Sequence, residues 1–142
     1  MKTYQPILTT SITAGADIPK GRFIGFDGGL CGANAKALGV SEVDIKQGQQ
    51  LPVIVYGIAI VETGGAVSAG AAVTSDSSGR AVAASNVSVT VTVPAGETPV
   101  TSTAAQPDLQ ESISGGVLPQ AINGYALDSA TQAGQFIRVK LV

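Results

Sequence analysis

Residues 15–27, Gly-Ala-Asp-Ile-Pro-Lys-Gly-Arg-Phe-Ile-Gly-Phe-Asp, and residues 64–76, Gly-Gly-Ala-Val-Ser-Ala-Gly-Ala-Ala-Val-Thr-Ser-Asp, are two versions of one pattern. Gly15, Ile18, Gly21, Ile24 and Asp27 recur as Gly64, Val67, Gly70, Val73 and Asp76, always 49 positions on. Each copy is followed by a second shared passage. Gly39-Val40 leads through a polar stretch to Gly48-Gln49 and then Leu51, Val53 and Val55. Gly124-Tyr125 leads likewise to Gly134-Gln135 and then Ile137, Val139 and Leu141. An apolar residue three positions before a glycine, with another three after it, suits a tight turn that launches a strand, because glycine accepts positive φ. The alternating tail of each unit suits a strand with one buried face. The unit occurs at roughly residues 15–61 and 64–142.

The rest of the chain is consistent with strands. Val, Ile and Thr dominate the apolar runs, Gly and Pro interrupt them every few residues, and no long window carries apolar residues at helical spacing. The expected strands are Phe23–Asp27, Glu42–Ile45, Val53–Val61, Ala72–Thr74, Ala81–Ala83, Val87–Val93, Tyr125–Ala126 and Gln135–Leu141. A short helical piece is expected around Gly32–Leu38. Ser75-Asp-Ser-Ser-Gly-Arg80 is a turn cluster joining two short runs into a hairpin. The expected fold is all-β, a small barrel or sandwich built from the two repeats. Residues 12–142 form its single domain, and residues 1–11 an extended N-terminal arm. The arm has a second reading as the first strand of its own sheet. Residues 85–119 interrupt the second repeat. Within them Val87–Val93 alternates Val with Ser or Thr, and Pro94–Gly116 has the Pro, Thr, Ser and Gly content of a long exposed loop.

Composition narrows the function. The 142 residues include no His, no Trp and one Cys, with 44% hydrophobic, 4% aromatic and 13% charged residues. Histidine triads, Cys/His zinc sites and haem ligation by His are excluded, as is an internal disulfide. A net charge of −2 gives no footprint for nucleic acid. The longest apolar run, Val53–Val61, is far short of the ~20 residues of a membrane helix. The N-terminus lacks the pattern of a signal peptide. Charge is scarce and mean hydropathy is high at +0.32, a combination that points to a surface partly covered by partners.

The candidate chemistry is thin. Glu42 and Asp44, two apart in an expected strand, share a face and read as a solvated pair. Asp76 reads as a turn-forming side chain, and Cys31, without a base beside it, as an inert thiol. Gly25–Gly29 and Gly64-Gly65 fit neither a phosphate loop nor a dinucleotide fingerprint. A serine nucleophile needs a base that only a Lys could supply here, and Lys20, Lys36 and Lys46 have no Ser-x-x-Lys context. No catalytic, cofactor or metal residues are assigned, and the chain is read as a non-enzyme. Association is the better prospect. Tyr4, Pro6, Ile7 and Leu8 of the arm could add a strand to a neighbour. Pro99 and Pro107 mark the loop as a second contact region suited to polar, wet interfaces.

Taken in order, several passages resemble the capsid decoration, or cement, proteins of tailed bacteriophages. They are Ile18-Pro-Lys-Gly21, Ala37-Leu-Gly-Val40, Gly48-Gln-Gln-Leu-Pro-Val53 and Gly57-Ile-Ala59. They continue with Gly65–Asp76, Gly79-Arg-Ala-Val82, Gly124–Asp128 and Ile137-Arg-Val-Lys-Leu141. The resemblance spans most of residues 12–142, and the 85–119 insertion departs from the shorter members. It implies a compact β-barrel-like domain, commonly a homotrimer, on the outer surface of the virion. Such a protein is made in the host cytoplasm and clamps neighbouring subunits of the major capsid protein. No cofactor, nucleic acid or membrane is expected as a partner. The alternative is a module that binds carbohydrate or the host surface. Its rings would come from Tyr4, Tyr56, Tyr125, Phe23, Phe26 and Phe136, clustered beside carboxylates.

Overall fold

A computed structural model describes residues 2–85, 90–91, 113–114 and 120–142. Among the described residues every regular element is a strand: β1 (Gln5–Thr13), β2 (Phe23–Ile24), β3 (Gly39–Ser41), β4 (Gln50–Glu62), β5 (Ala72–Ser75), β6 (Ala81–Ala83), β7 (Thr90–Val91), β8 (Ile113–Ser114), β9 (Gly124–Ala126) and β10 (Phe136–Leu141). Two compact units divide the chain. Residues 1–85 and 120–142 form the first, and residues 86–119 the second. In the second unit β7 pairs antiparallel with β8. The expected strand Val87–Val93 and loop Pro94–Gly116 otherwise lie outside the described residues.

In the first unit the sheet runs β2-β3-β4-β10-β9-β5-β6, with β1 also paired to β4. Its two ends approach one another. Phe23 N–H donates to the Gly79 carbonyl at 2.7 Å, and Thr63 bridges Ala81 in parallel. The result is a nearly closed, barrel-shaped sheet. Its main core is small and β-branched: Val40, Ile54, Ala59, Val61, Val73, Ile137 and Val139 surround Phe23, the largest fully buried side chain. Burying a ring of that kind contributes about 1.5–3 kcal/mol. Ala14, Ile18, Ile24, Leu51 and Val53 make a second, smaller core. In β10 the alternation is plain, with Ile137, Val139 and Leu141 inside and Phe136 and Lys140 outside.

The two halves lay down the same pairing twice. Phe23 faces Val40 and Ile24 faces Gly39, as Ala72 faces Tyr125 and Val73 faces Gly124. Ile18 bridges Ile45 as Val67 bridges Ala130. Val40 faces Ile54 as Tyr125 faces Lys140. The equivalence extends to the arm. Thr10, Ile12 and Thr13 face Val53, Leu51 and Gln50, as Ala59, Val61 and Glu62 face Val139, Ile137 and Phe136. Residues 5–11 are therefore paired strand, the second of the two readings of the arm. β4 serves both halves: its start closes the first repeat against β1, and its end opens the second against β10.

Three local expectations fail. Glu42–Ile45 is not a strand; pairing stops at Ser41, and only Ile45 bridges back, to Ile18. The Glu42 and Asp44 side chains are each bound locally instead, to Tyr4 and to the Lys20 N–H. Gly32–Leu38 forms turns and not a helix, and its backbone is tied to strands by bonds such as Leu38 N–H to the Ile24 carbonyl. The strand from Phe23 ends at Ile24, because Gly25–Gly29 closes a loop in which Asp27 accepts the Gly29 N–H at 3.0 Å. The Asp76 turn forms as expected, with the carboxylate accepting the Ser78 and Arg80 N–H groups at 2.8 and 2.9 Å.

Candidate functional site

β1 is unlike the other strands of the barrel. Of its nine residues, all but Ile12 are exposed. Ile7 is 69% exposed and Leu8 57%, and Leu8 pairs with the equally open Tyr56. Two register shifts between Pro6 and Thr9 bend the strand there, where Pro6 has no N–H to give to a ladder. No charged residue lies between Lys2 and Asp17. β1 occupies one edge of β4, since Ile54 faces both Thr9 and Val40, and Ile58 faces both Gln5 and Lys140. β3 and β10 therefore share the opposite edge.

The tip of the arm is pinned by polar contacts. Lys2 Nζ donates to the Phe136 carbonyl at 2.6 Å and lies 3.6 Å from the Asp128 carboxylate. Asp128 also takes two bonds from the Arg138 guanidinium, at 2.8 and 3.1 Å, and one from its backbone N–H. The guanidinium bonds, then the N–H, hold the Asp128 carboxyl well below the usual carboxylate range. Tyr4 Oη donates to Glu42 Oε1 at 3.2 Å, and that bond raises the pKa of the phenol. Beside this pin lies a groove of about 390 Å3, lined by Tyr4, Lys20, Gly21, Glu42, Ile60 and Phe136 among others. The sequence did not mark this groove; Glu42 and Lys20 come to it from loops, and Phe136 from the start of β10.

Of the residues singled out for contact, Tyr4, Pro6, Ile7 and Leu8 thus share one exposed strand and its approach. Pro99 and Pro107 lie outside the described residues. A second depression, lined by Asp17, Asp44 and Lys46, has its carboxylates occupied: Asp17 by Lys46 Nζ at 2.6 Å and the Gln47 N–H, Asp44 by the Lys20 N–H. Among the described residues no three metal-ligating side chains gather. Among the described residues there is no helix long and apolar enough to cross a membrane. Cys31 is buried, and that burial raises its thiol pKa, the opposite of activation.

The sequence model of the phage cement proteins matches residues 1–141. The chain belongs to the phage cement protein family. Membership makes it a structural, capsid-associated protein of the virion. No curated protein matches it. Among solved structures, the head fiber gp8.5 N base of bacteriophage phi29 is similar, with a TM-score of 0.60 and 17% identity over 95% of this chain and 93% of that one. At that identity the likeness speaks for the fold.

Proposed function

We propose that the chain binds the outside of an assembled phage capsid as a homotrimer and stabilises contacts between major capsid subunits. The observation that supports this reading is β1 with its approach: a paired strand with Ile7 and Leu8 in solvent, Tyr4 exposed just before it, and no charge to keep another protein away. A protein that binds only the assembled lattice stabilises it by mass action, and three linked copies turn weak single contacts into a firm one. Pro99 and Pro107 belong to the proposed contact set with the arm. Co-sedimentation with purified expanded capsids, with capsid melting followed in its presence and absence, tests the reading. Binding with a raised capsid melting temperature is expected. A protein that stays in the supernatant, or a monomer by light scattering that leaves the capsid unchanged, would refute it.

The groove supports a second reading. Tyr4 and Phe136 line it together with Glu42, which is the pairing of rings and carboxylate that a sugar site uses. A glycan array on which Tyr4→Ala abolishes the signal would establish it; an array with no hits would dismiss it.

A further inference from the structure

One contact between the two halves is made once where the repeat provides for two. The turn before β2 seats on the free edge of the end of β4. Glu62 N–H donates to the Gly21 carbonyl at 2.9 Å. The Phe136 ring and the Ile60 carbonyl close over Gly21, which is buried and has φ 71°. Arg22 Nη2 meets Glu62 Oε2 at 2.7 Å, with both side chains more than four-fifths buried.

Gly70 on one side and Ser11, Thr13 and Gln50 on the other are exposed counterparts, while Gly28 packs against the Thr13 carbonyl and Ala71, the counterpart of Arg22, rests partly on the main core. Gly70 repeats Gly21 with φ 83°, and its N–H donates to the Ala126 carbonyl as that of Gly21 does to Ser41. Gly70 is nevertheless exposed, and among the described residues nothing lies within 4 Å of where its Cβ would be. Ser11 and Thr13 on β1 hold the register positions of Ile60 and Glu62, and Gln50 that of Phe136. Ala14 N–H crosses to the Gln49 carbonyl, as Thr63 N–H crosses to Gln135. The alternation of an antiparallel ladder then turns the Thr13 N–H to the outer edge, as it does that of Glu62. One chain thus carries both unused halves of a contact it already makes internally.

We infer that the Ser68–Ala71 turn of a second copy seats on the outer edge of β1, with Thr13 N–H donating to the Gly70 carbonyl of that copy. The inference rests on the homo-oligomer reading above and names its contact. Each copy offers one turn and one edge, so the interface is heterologous and can close into a ring. Thr13 and Ala71 stand where Glu62 and Arg22 stand inside the chain, which makes the join between copies uncharged.

Thr13→Cys with Ala71→Cys in the full chain tests this under mild oxidation, read by non-reducing electrophoresis and sedimentation. The double variant is expected to form covalent species up to the size of the solution oligomer, while each single variant and the parent, whose Cys31 is buried, do not. An oligomer without cross-linking in the double variant overturns this contact alone. Cross-linking by Thr13→Cys alone overturns it too, since β1 would then pair with itself. A monomer overturns both this contact and the oligomer reading. Transplanting the internal ion pair gives an independent check. Thr13→Glu with Ala71→Arg is expected to self-associate roughly tenfold more tightly than Thr13→Glu alone at low salt, a gain lost near ~1 M salt. Equal association of the two would contradict the proposal.

Discussion

A methyl group has no room at Gly39 or at Gly124. Placed on Gly39, it would overlap the Ile54 carbonyl oxygen and approach Val53 Cγ1; on Gly124, it would come within 2.5 Å of the Lys140 carbonyl oxygen and of Val139 Cγ1. The same neighbours recur because the same strand pair is built twice, and in each case backbone is what stands in the way. Gly39→Ala and Gly124→Ala are each expected to lower stability by about 2–3 kcal/mol, the upper range for overpacking a well-filled site, measured by urea unfolding. Asp128 makes a second prediction at this scale. Its folded pKa lies below the ~3.9 of an unfolded aspartate. The stabilisation is therefore complete above the unfolded value and is lost as pH falls through about 4 towards the folded value. Thermal unfolding of the parent is expected to move steeply to lower temperature below about pH 4, and that of Asp128→Asn to do so less. Parallel curves for the two would show that the Arg138 pair contributes nothing to the acid limb.

β1 differs from the other elements of the barrel in what it gives to the fold. Residues 2–8 are all exposed, and the strand reaches the smaller core only through Ile12. Removing residues 1–8 keeps Ile12 and the pairs from Thr9 to Thr13. That truncation is expected to leave a cooperatively folded barrel, destabilised by on the order of 1–2 kcal/mol, while abolishing co-sedimentation with capsids. Retained capsid binding would move the contact surface elsewhere. The sequence indicated these two elements in different ways: Val53–Val61 lies within β4 and was legible as a continuous apolar run, whereas Gln135–Leu141 lies over β10 and was legible through its alternation. β1 was harder to read, since Thr9-Thr10-Ser11 carries no apolar alternation when neither face meets a full core. Glu42–Ile45 misled for the opposite reason. Its alternation is real, but Glu42 and Asp44 serve Tyr4 and Lys20, and the chain bends away after Ser41. The groove could not be read at all, because Lys20, Glu42 and Phe136 are brought together only by the pairing of β3, β4 and β10.

For the molecule as a whole, the repeat predicts that the barrel folds without residues 86–119. The first half joins β2 to β3 through residues 25–38 alone, and its pairing is the same as that of β5 with β9. The second half carries the longer connection, and the barrel clasps its two ends. Ser85 N–H donates to Gln120 Oε1 at 2.8 Å, and Gln120 Nε2 donates to Ser85 Oγ at 3.0 Å. A short turn can therefore bridge Ser85 to Gln120 without disturbing β6 or β9. Replacing residues 86–119 by four residues such as Gly-Asn-Gly-Ser shortens the loop about eightfold. Loop-closure entropy alone then favours the folded state by roughly 2 kcal/mol. The shortened protein is expected to be soluble, all-β by circular dichroism, and to melt no lower than the parent. Unfolding at a lower temperature would mean that residues 86–119 support the barrel itself. The same protein separates the two proposed contact regions. If it still co-sediments with capsids, β1 carries the attachment; if it folds but no longer binds, the attachment depends on the segment that holds Pro99 and Pro107.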